Sequence, residues 1–280
     1  MKIYALGQLS EEHYPLVGGK AKGLDMLVRK GFAVPQGFVI TETEQIDEDA
    51  VYQAFDSMNT ELVSVRSSAS NEDQSSASNA GQYETCLFVD RAHLMESVNK
   101  CLESLNSRRV KDYARHFELG QGSMNIVVQE MINSDKAGVL FTAGPNNGSA
   151  ILIEAVSGQG ENLVSGQVTA HRYEISRKCY RPCGDDLLHE DGIRELYETG
   201  KKVRTVFGEE KDLEWAIQDR RLYLLQMRPI TTEIIDIEEF DRDDDLSGHL
   251  FTKRNVGEMM PGAVTPLTFS TSAKAIDYGM

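Results

Sequence analysis

The chain has 280 residues, 40% hydrophobic and 26% charged, which gives room for one large domain or two small ones around a sizeable core. No run of 18 apolar residues occurs, so no membrane-spanning helix is expected. A formal net charge of −15 leaves no basic stripe to displace counterions, which argues against nucleic acid as a partner.

The opening Met1-Lys2-Ile3-Tyr4-Ala5-Leu6-Gly7 turns polar at once, unlike a signal peptide. Cys86, Cys101, Cys179 and Cys183 are scattered without paired zinc spacing, as expected of thiols in a reducing cytoplasm. After a Gly18-Gly19-Lys20 turn, Leu24, Leu27 and Val28 recur at helical spacing, and Gly31 is the expected stop. Residues 34–41 read as a turn into a strand, and 62–66 as a second strand. That strand opens on a small-residue loop, 67–80, of the kind that serves as a flexible linker. Leu94, Val98, Leu102 and Leu105 place a helix over about 91–117.

From Ile126 the pattern changes to strands, over 126–131, 138–142 and 150–155. A glycine-rich loop, 157–166, leads to a strand at 171–175 and a helix over 191–207. Two short apolar strands follow, 213–217 and 224–230, joined by Gln218-Asp219-Arg220-Arg221. The acidic run 236–245 reads as a solvated linker. The order implies a helix-bearing front lobe, a mostly antiparallel back lobe and a cleft between them.

The paired strands near the end carry the clearest chemistry. Period-two alternation puts Leu213, Trp215 and Ile217 on one face and Glu214 on the other. In the second strand Gln226 and Arg228 share a face, with Leu225 and Met227 opposite. If the strands pair, a carboxylate, an amide oxygen and a guanidinium converge. Such oxygens suit a hard divalent cation, and a guanidinium suits a phosphate. Mg2+ takes few protein oxygens and completes its shell with water and phosphate, so the pattern points to Mg-nucleotide chemistry. An amphipathic hairpin with a merely wet polar face is the plainer alternative.

Other segments carry weaker signals. Gly18-Gly19-Lys20 lets backbone approach a phosphate and adds a mobile cation, although it lacks the Walker A spacing and also reads as a surface turn. Arg66-Ser67-Ser68-Ala69 sets a guanidinium at a strand end, where a surface ion pair with Glu72 or Asp73 is the alternative. Gly81 and Thr85, in Ala80-Gly81-Gln82-Tyr83-Glu84-Thr85, are able to close over a polyphosphate. Gln129 and Met131 end a strand that would serve as a hinge for adenine, a core methionine being the alternative. Glu161 stands in the glycine loop, near a ribose or simply exposed.

Taken in order, Gly-Gly-Lys, Val-Arg-Ser-Ser-Ala, Ala-Gly-Gln, Val-Val-Gln-x-Met, Gly-Val-Leu-Phe-Thr, Gly-x-Gly-Glu, Asp-Leu-Glu-Trp-Ala and Leu-Gln-x-Arg-Pro-Ile resemble one family's nucleotide-binding domain. The family comprises pyruvate phosphate dikinase, phosphoenolpyruvate synthase and the rifamycin phosphotransferases, and the likeness covers about Leu16 to Thr232. It implies an α+β, two-lobed ATP-grasp fold with mostly antiparallel sheets and flanking helices. It also implies that Lys20, Arg66, Gly81, Thr85, Gln129 and Arg228 contact ATP, that Met131 lies near adenine, and that Glu214 and Gln226 hold Mg2+. Lys20, Arg66 and Arg228 would be the catalytic cations. Front lobe 1–120, back lobe 121–232, acidic linker 233–248 and the truncated start of a following domain, 249–280, are the expected divisions. Within 249–280, Asn255-Val256-Gly257-Glu258, Pro261-Gly262 and Thr265-Pro266-Leu267 resemble the entry to the family's next domain.

Three departures qualify the resemblance. The stretch between Thr41 and Arg66 is short for the family. Its Phe-Thr-x-Asp-Pro stands here as Phe141-Thr142-Ala143-Gly144-Pro145, losing a carboxylate. None of His13, His93, His116, His171, His189 or His249 has the Thr-Ser-His-Ala context of the family's phosphocarrier histidine. The expectation is a phosphoryl donor that serves a carrier histidine on another segment or chain. The alternative is a non-catalytic ATP-binding or assembly module. The final acceptor is not encoded in these residues.

Overall fold

The computed structural model describes residues 1–69, 84–104, 124–143, 150–160, 163, 170–175 and 187–230, and the backbone of 180–183. The chain divides into two compact units, Met1–Ile237 and Glu238–Met280. The second unit, the expected linker 233–248 and the segment 249–280 lie outside the described residues. So do Gly81, Glu161, Cys179 and residues 105–123, which include the far half of the helix expected over 91–117.

The first sheet runs in the order β1-β2-β5-β3-β4: β1 (Lys2–Ala5), β2 (Gly37–Thr41), β5 (Met124–Glu130), β3 (Val63–Ala69) and β4 (Thr85–Val89). Every neighbouring pair is antiparallel. Its inner strands read as nearly continuous apolar runs because both faces are covered. Phe38, Ile40, Val65, Ile126 and Val128 pack with α2 (Glu48–Ser57) and α3 (Leu94–Ser104). Val39 and Val127, which are register partners, pack on the other face against Val17, Ala21 and Leu24 of α1 (Tyr14–Arg29). The short stretch between Thr41 and Arg66 still holds a helix, α2. Asp47 starts it by accepting from the Ala50 amide at 3.1 Å.

The second sheet has the order β11-β10-β6-β7-β8-β9, again all antiparallel. Its members are β6 (Lys136–Phe141), β7 (Ile151–Ser157), β8 (His171–Ile175), β9 (Tyr180–Cys183), β10 (Lys211–Gln218) and β11 (Arg221–Pro229). One face packs Leu140, Ile153, Tyr173, Leu213, Trp215 and Leu224 against Ile193, Leu196 and Val203 of α4 (Glu190–Phe207). Those three helix residues fall on one stripe at i, i+3 and i+10. Gly200 lets the helix settle closely, since a Cβ there would lie 3.0 Å from both Ile151 Cδ1 and Leu140 Cδ2.

Two antiparallel sheets with flanking helices are the α+β architecture that the sequence led us to expect. The lobe boundary differs. β5 lies between β2 and β3, so the first sheet extends past the expected division at 120/121 and closes only after Glu130. An apolar run does not reveal which sheet it joins; pairing on both edges does.

α1 serves both sheets. Leu27 belongs to the core of the second, whereas Val17, Ala21 and Leu24 belong to that of the first. The helix ends as Gly31 implies: Gly31 takes φ +74°, and Phe32 N donates to Leu27 O at 3.1 Å in a Schellman closure. At Gly23 a Cβ would lie 2.4 Å from the Met227 carbonyl oxygen, so only glycine permits this approach to β11.

Candidate functional site

The β10–β11 hairpin forms as the alternation required, turning at Asp219 and Arg220, both at positive φ. Glu214 and Gln226 are direct cross-strand partners, and so are Asp212 and Arg228. A bulge lies between these pairs and the turn. Glu214 pairs with Gln226 and Trp215 with Leu224, which leaves Leu225 as the extra residue. The bulge changes one expectation: Leu225 lies on the cleft side with Gln226, not opposite it, packing with Ile132, Ala137 and Ala216. Met227 remains in the core beneath.

The bulge also supplies an acceptor. Arg66, from β3 of the first sheet, donates Nη1 to Leu225 O at 3.0 Å and Nη2 to Glu214 Oε2 at 2.9 Å. One guanidinium thus ties the first sheet to the second. The Arg66 and Glu214 side chains are only 14% and 17% exposed, and the ion pair is largely sheltered from solvent screening. The alternative partners, Glu72 and Asp73, lie outside the described residues.

Lys20 reaches the same cleft through a break in α1. At Gly18 the backbone leaves helical geometry (φ +78°, ψ 164°), and a Cβ there would lie 2.5 Å from Ala69 O. The helix then restarts under a cap from another segment. Ser68 Oγ donates to Val17 O at 2.8 Å and accepts from Ala21 N at 3.2 Å. The Gly-Gly-Lys signal and the hydroxyl beside Arg66 are therefore two sides of one joint.

Lys20, Arg66, Thr85, Gln129, Met131, Glu214, Gln226 and Arg228 all line one cleft of about 250 Å3 between the sheets. Thr85 sits beside Arg66 as its register partner, and Gln129 beside Ser64. Gln129 is buried and turns its amide away, donating to Pro35 O at 3.4 Å. Met131 is half-buried on the cleft wall, outside the main apolar cores. Gly138 forms flat floor, since a Cβ there would lie 1.8 Å from Glu154 O.

The electrostatics are asymmetric. Burial pushes the Glu214 carboxyl up, but Arg66, with Arg228 and Lys20 behind it, outweighs burial and holds the carboxyl below its usual range. Asp212 goes the other way. Burial raises it, Glu214 and Glu154 add to that, and Arg228 only partly opposes them. Arg228 donates Nη2 and Nε to Asp212 Oδ2 at 2.8 and 3.1 Å. Asp212 Oδ1 is buried without a partner among the described residues. The sequence reading passed over Asp212, although its place two residues before Glu214 puts both on one strand face.

The Glu214 carboxylate and the Gln226 amide across one register pair, with the orphaned Asp212 Oδ1 alongside, form an all-oxygen donor set. Its chemistry fits Mg2+. Among the described residues no three His, Cys, Asp or Glu side chains make a cage of their own.

The model of the pyruvate phosphate dikinase AMP/ATP-binding domain matches residues 43–181 and 178–244 of this chain, so Lys20 lies ahead of the matched stretch. The chain is 30% identical to a probable phosphoenolpyruvate synthase of Archaeoglobus fulgidus, over 83% of this chain and 42% of that protein. It is 32% identical to the rifampicin phosphotransferase of Bacillus cereus, over 74% of this chain and 27% of that protein. The uncharacterized phosphotransferase YvkC of Bacillus subtilis is 28% identical, over 97% of this chain and 40% of that protein. The chain thus spans less than half the length of these relatives.

Proposed function

This chain belongs to the pyruvate phosphate dikinase AMP/ATP-binding family, and from that we propose that it binds Mg-ATP in the cleft between its sheets and donates a phosphoryl group to a carrier histidine outside these 280 residues. One observation carries the reading: three cations, Lys20, Arg66 and Arg228, converge on the same cleft as the oxygens of Glu214 and Gln226. Lys20, Arg66 and Arg228 hold the phosphates, Gly81 and Thr85 close over them, and Met131 with the Gln129 strand end borders adenine. Glu214 and Gln226 hold the metal, with Asp212 in reach. When bound, Mg2+ would supply charge neutralisation at the phosphates.

The work of the protein's own residues is positioning and electrostatic preorganisation. Arg66 is anchored by Leu225 O and Arg228 by Asp212, so both guanidiniums already stand at the cleft before nucleotide arrives. Among the described residues His13 is engaged with Tyr4 and Ser10, and His93 with Asp90. This supports a carrier supplied from elsewhere.

Calorimetric titration tests the reading. ATP binding should require Mg2+ for full affinity and should fall by about 2–3 kcal/mol in Arg66→Ala, the loss of one charge-assisted phosphate contact. Equal heats with and without Mg2+ would remove the metal from the site.

A further inference from the structure

Arg66 and the metal compete for the same atom. Its guanidinium holds Glu214 Oε2 at 2.9 Å, and Arg228 and Lys20 also act on that carboxylate. We propose that Arg66 is a removable mask on Glu214, so that the cleft rejects a bare divalent ion and accepts one only with, or after, a polyphosphate. The inference rests on the nucleotide reading above.

Three observations carry it. Three cations act on Glu214: Arg66 in direct contact, and Lys20 and Arg228 (itself paired with Asp212) beyond it. They disfavour a free divalent ion even though the Glu214 oxygens have the right chemistry. A polyphosphate reverses the sign of the local field. It also offers Arg66 a second fork-shaped acceptor, since a guanidinium pairs with phosphate and carboxylate by the same two-pronged geometry. Finally, Arg66 has what it needs to pivot rather than leave. Nη1 keeps Leu225 O as an anchor at 3.0 Å, and Nε is buried without a partner among the described residues, a donor in reserve. A carboxylate holder that left Arg66 fully satisfied would have no such spare donor.

The 280-residue chain tests this with Mn2+ as a spectroscopic probe, followed by electron paramagnetic resonance without nucleotide. Wild type should bind Mn2+ weakly. Arg66→Met should bind it about tenfold more tightly or better, the effect of removing one adjacent, poorly screened charge. Adding Glu214→Gln to that variant should cancel the gain. A second measurement needs no variant: the Arg66 guanidinium nitrogen resonances of wild type should shift on adding metal-free ATP and stay unmoved by Mg2+ alone. Equal Mn2+ affinity in wild type and Arg66→Met, or a shift caused by Mg2+ alone, overturns the mask while leaving nucleotide binding standing. Failure of wild type to bind ATP under any metal condition overturns the site itself, and the mask with it.

Discussion

One cation of the cleft, Lys20, hangs on a backbone exception, whereas Arg66 and Arg228, like the acids, stand on paired strands. Lys20 reaches the cleft because α1 breaks at Gly18 and restarts under Ser68, and its approach needs a residue without Cβ. Asp212 and Glu214 need only the two-residue period of β10. The acids also diverge: Glu214 is held ionised by its cations, while Asp212, more deeply caught between burial and neighbouring carboxylates, is pushed toward its neutral form. Register thus fixes the acids together with Arg66 and Arg228, and a single exception, the break at Gly18, brings Lys20 to them.

The sharpest way to break the acid wall is at its floor. Gly138→Ala drives a Cβ to 1.8 Å from the Glu154 carbonyl oxygen and 2.8 Å from Trp215 Cζ2. Both neighbours are fixed, so denaturant unfolding should show a loss of about 4 kcal/mol or more, or no folded protein. The Lys20 side has its own weak point in Gly18→Ala, which combines a glycine-only backbone with a 2.5 Å contact to Ala69 O. A loss of about 2–3 kcal/mol is expected from strain of that kind, together with weaker ATP binding because Lys20 loses its position.

Between the walls, Glu214→Gln keeps the shape and removes the charge that holds Arg66. A stability loss of about 1–3 kcal/mol at neutral pH is expected for a sheltered pair. The folded pKa of Glu214 lies below its ordinary 4.5, so its contribution is present above pH 4.5 and is lost as pH falls through the folded value. The gap between wild type and Glu214→Gln, followed by urea unfolding, should therefore narrow in acid. Asp212 has the opposite sign. Its folded pKa lies above 3.8, so its ionisation opposes stability as pH rises through the folded value. A gap independent of pH would mean that Arg66 does not hold Glu214 in solution. Smallest of all is Glu209→Gln. Glu209 is 69% exposed and, among the described residues, pairs with Lys211, and neither stability nor Mg2+ affinity should change measurably.

The same contrast explains what could be read in the sequence. The Glu214–Gln226 pair was legible because alternation and a short polar turn fix a hairpin's register. The bulge at Leu225 was not. It carries neither Gly nor Pro, and it is visible only as an extra residue between two pairs. The convergence of Lys20 with Arg66 depended on motif order, because nothing in Gly-Gly-Lys says that Ser68, nearly fifty positions on, caps the restarted helix. Thr85–Val89 was not read as a strand, and its residue Phe88 takes φ +54°. That conformation interrupts the pattern a strand is recognised by. Cys86 and Cys101 look scattered in the chain, yet both pack in the core of the first sheet.

The close seating of Gly23 against the Met227 carbonyl has a consequence for how the protein is made. These residues are about 200 positions apart, and α1 supplies core side chains to both sheets. A ribosome delivers α1 almost first and β11 almost last among the described elements, so the helix waits through most of synthesis with one apolar side uncovered. Contacts of such long sequence separation form slowly. The nascent chain therefore offers Leu27 and its neighbours to chaperones, or to other chains, until residue 230 clears the exit tunnel.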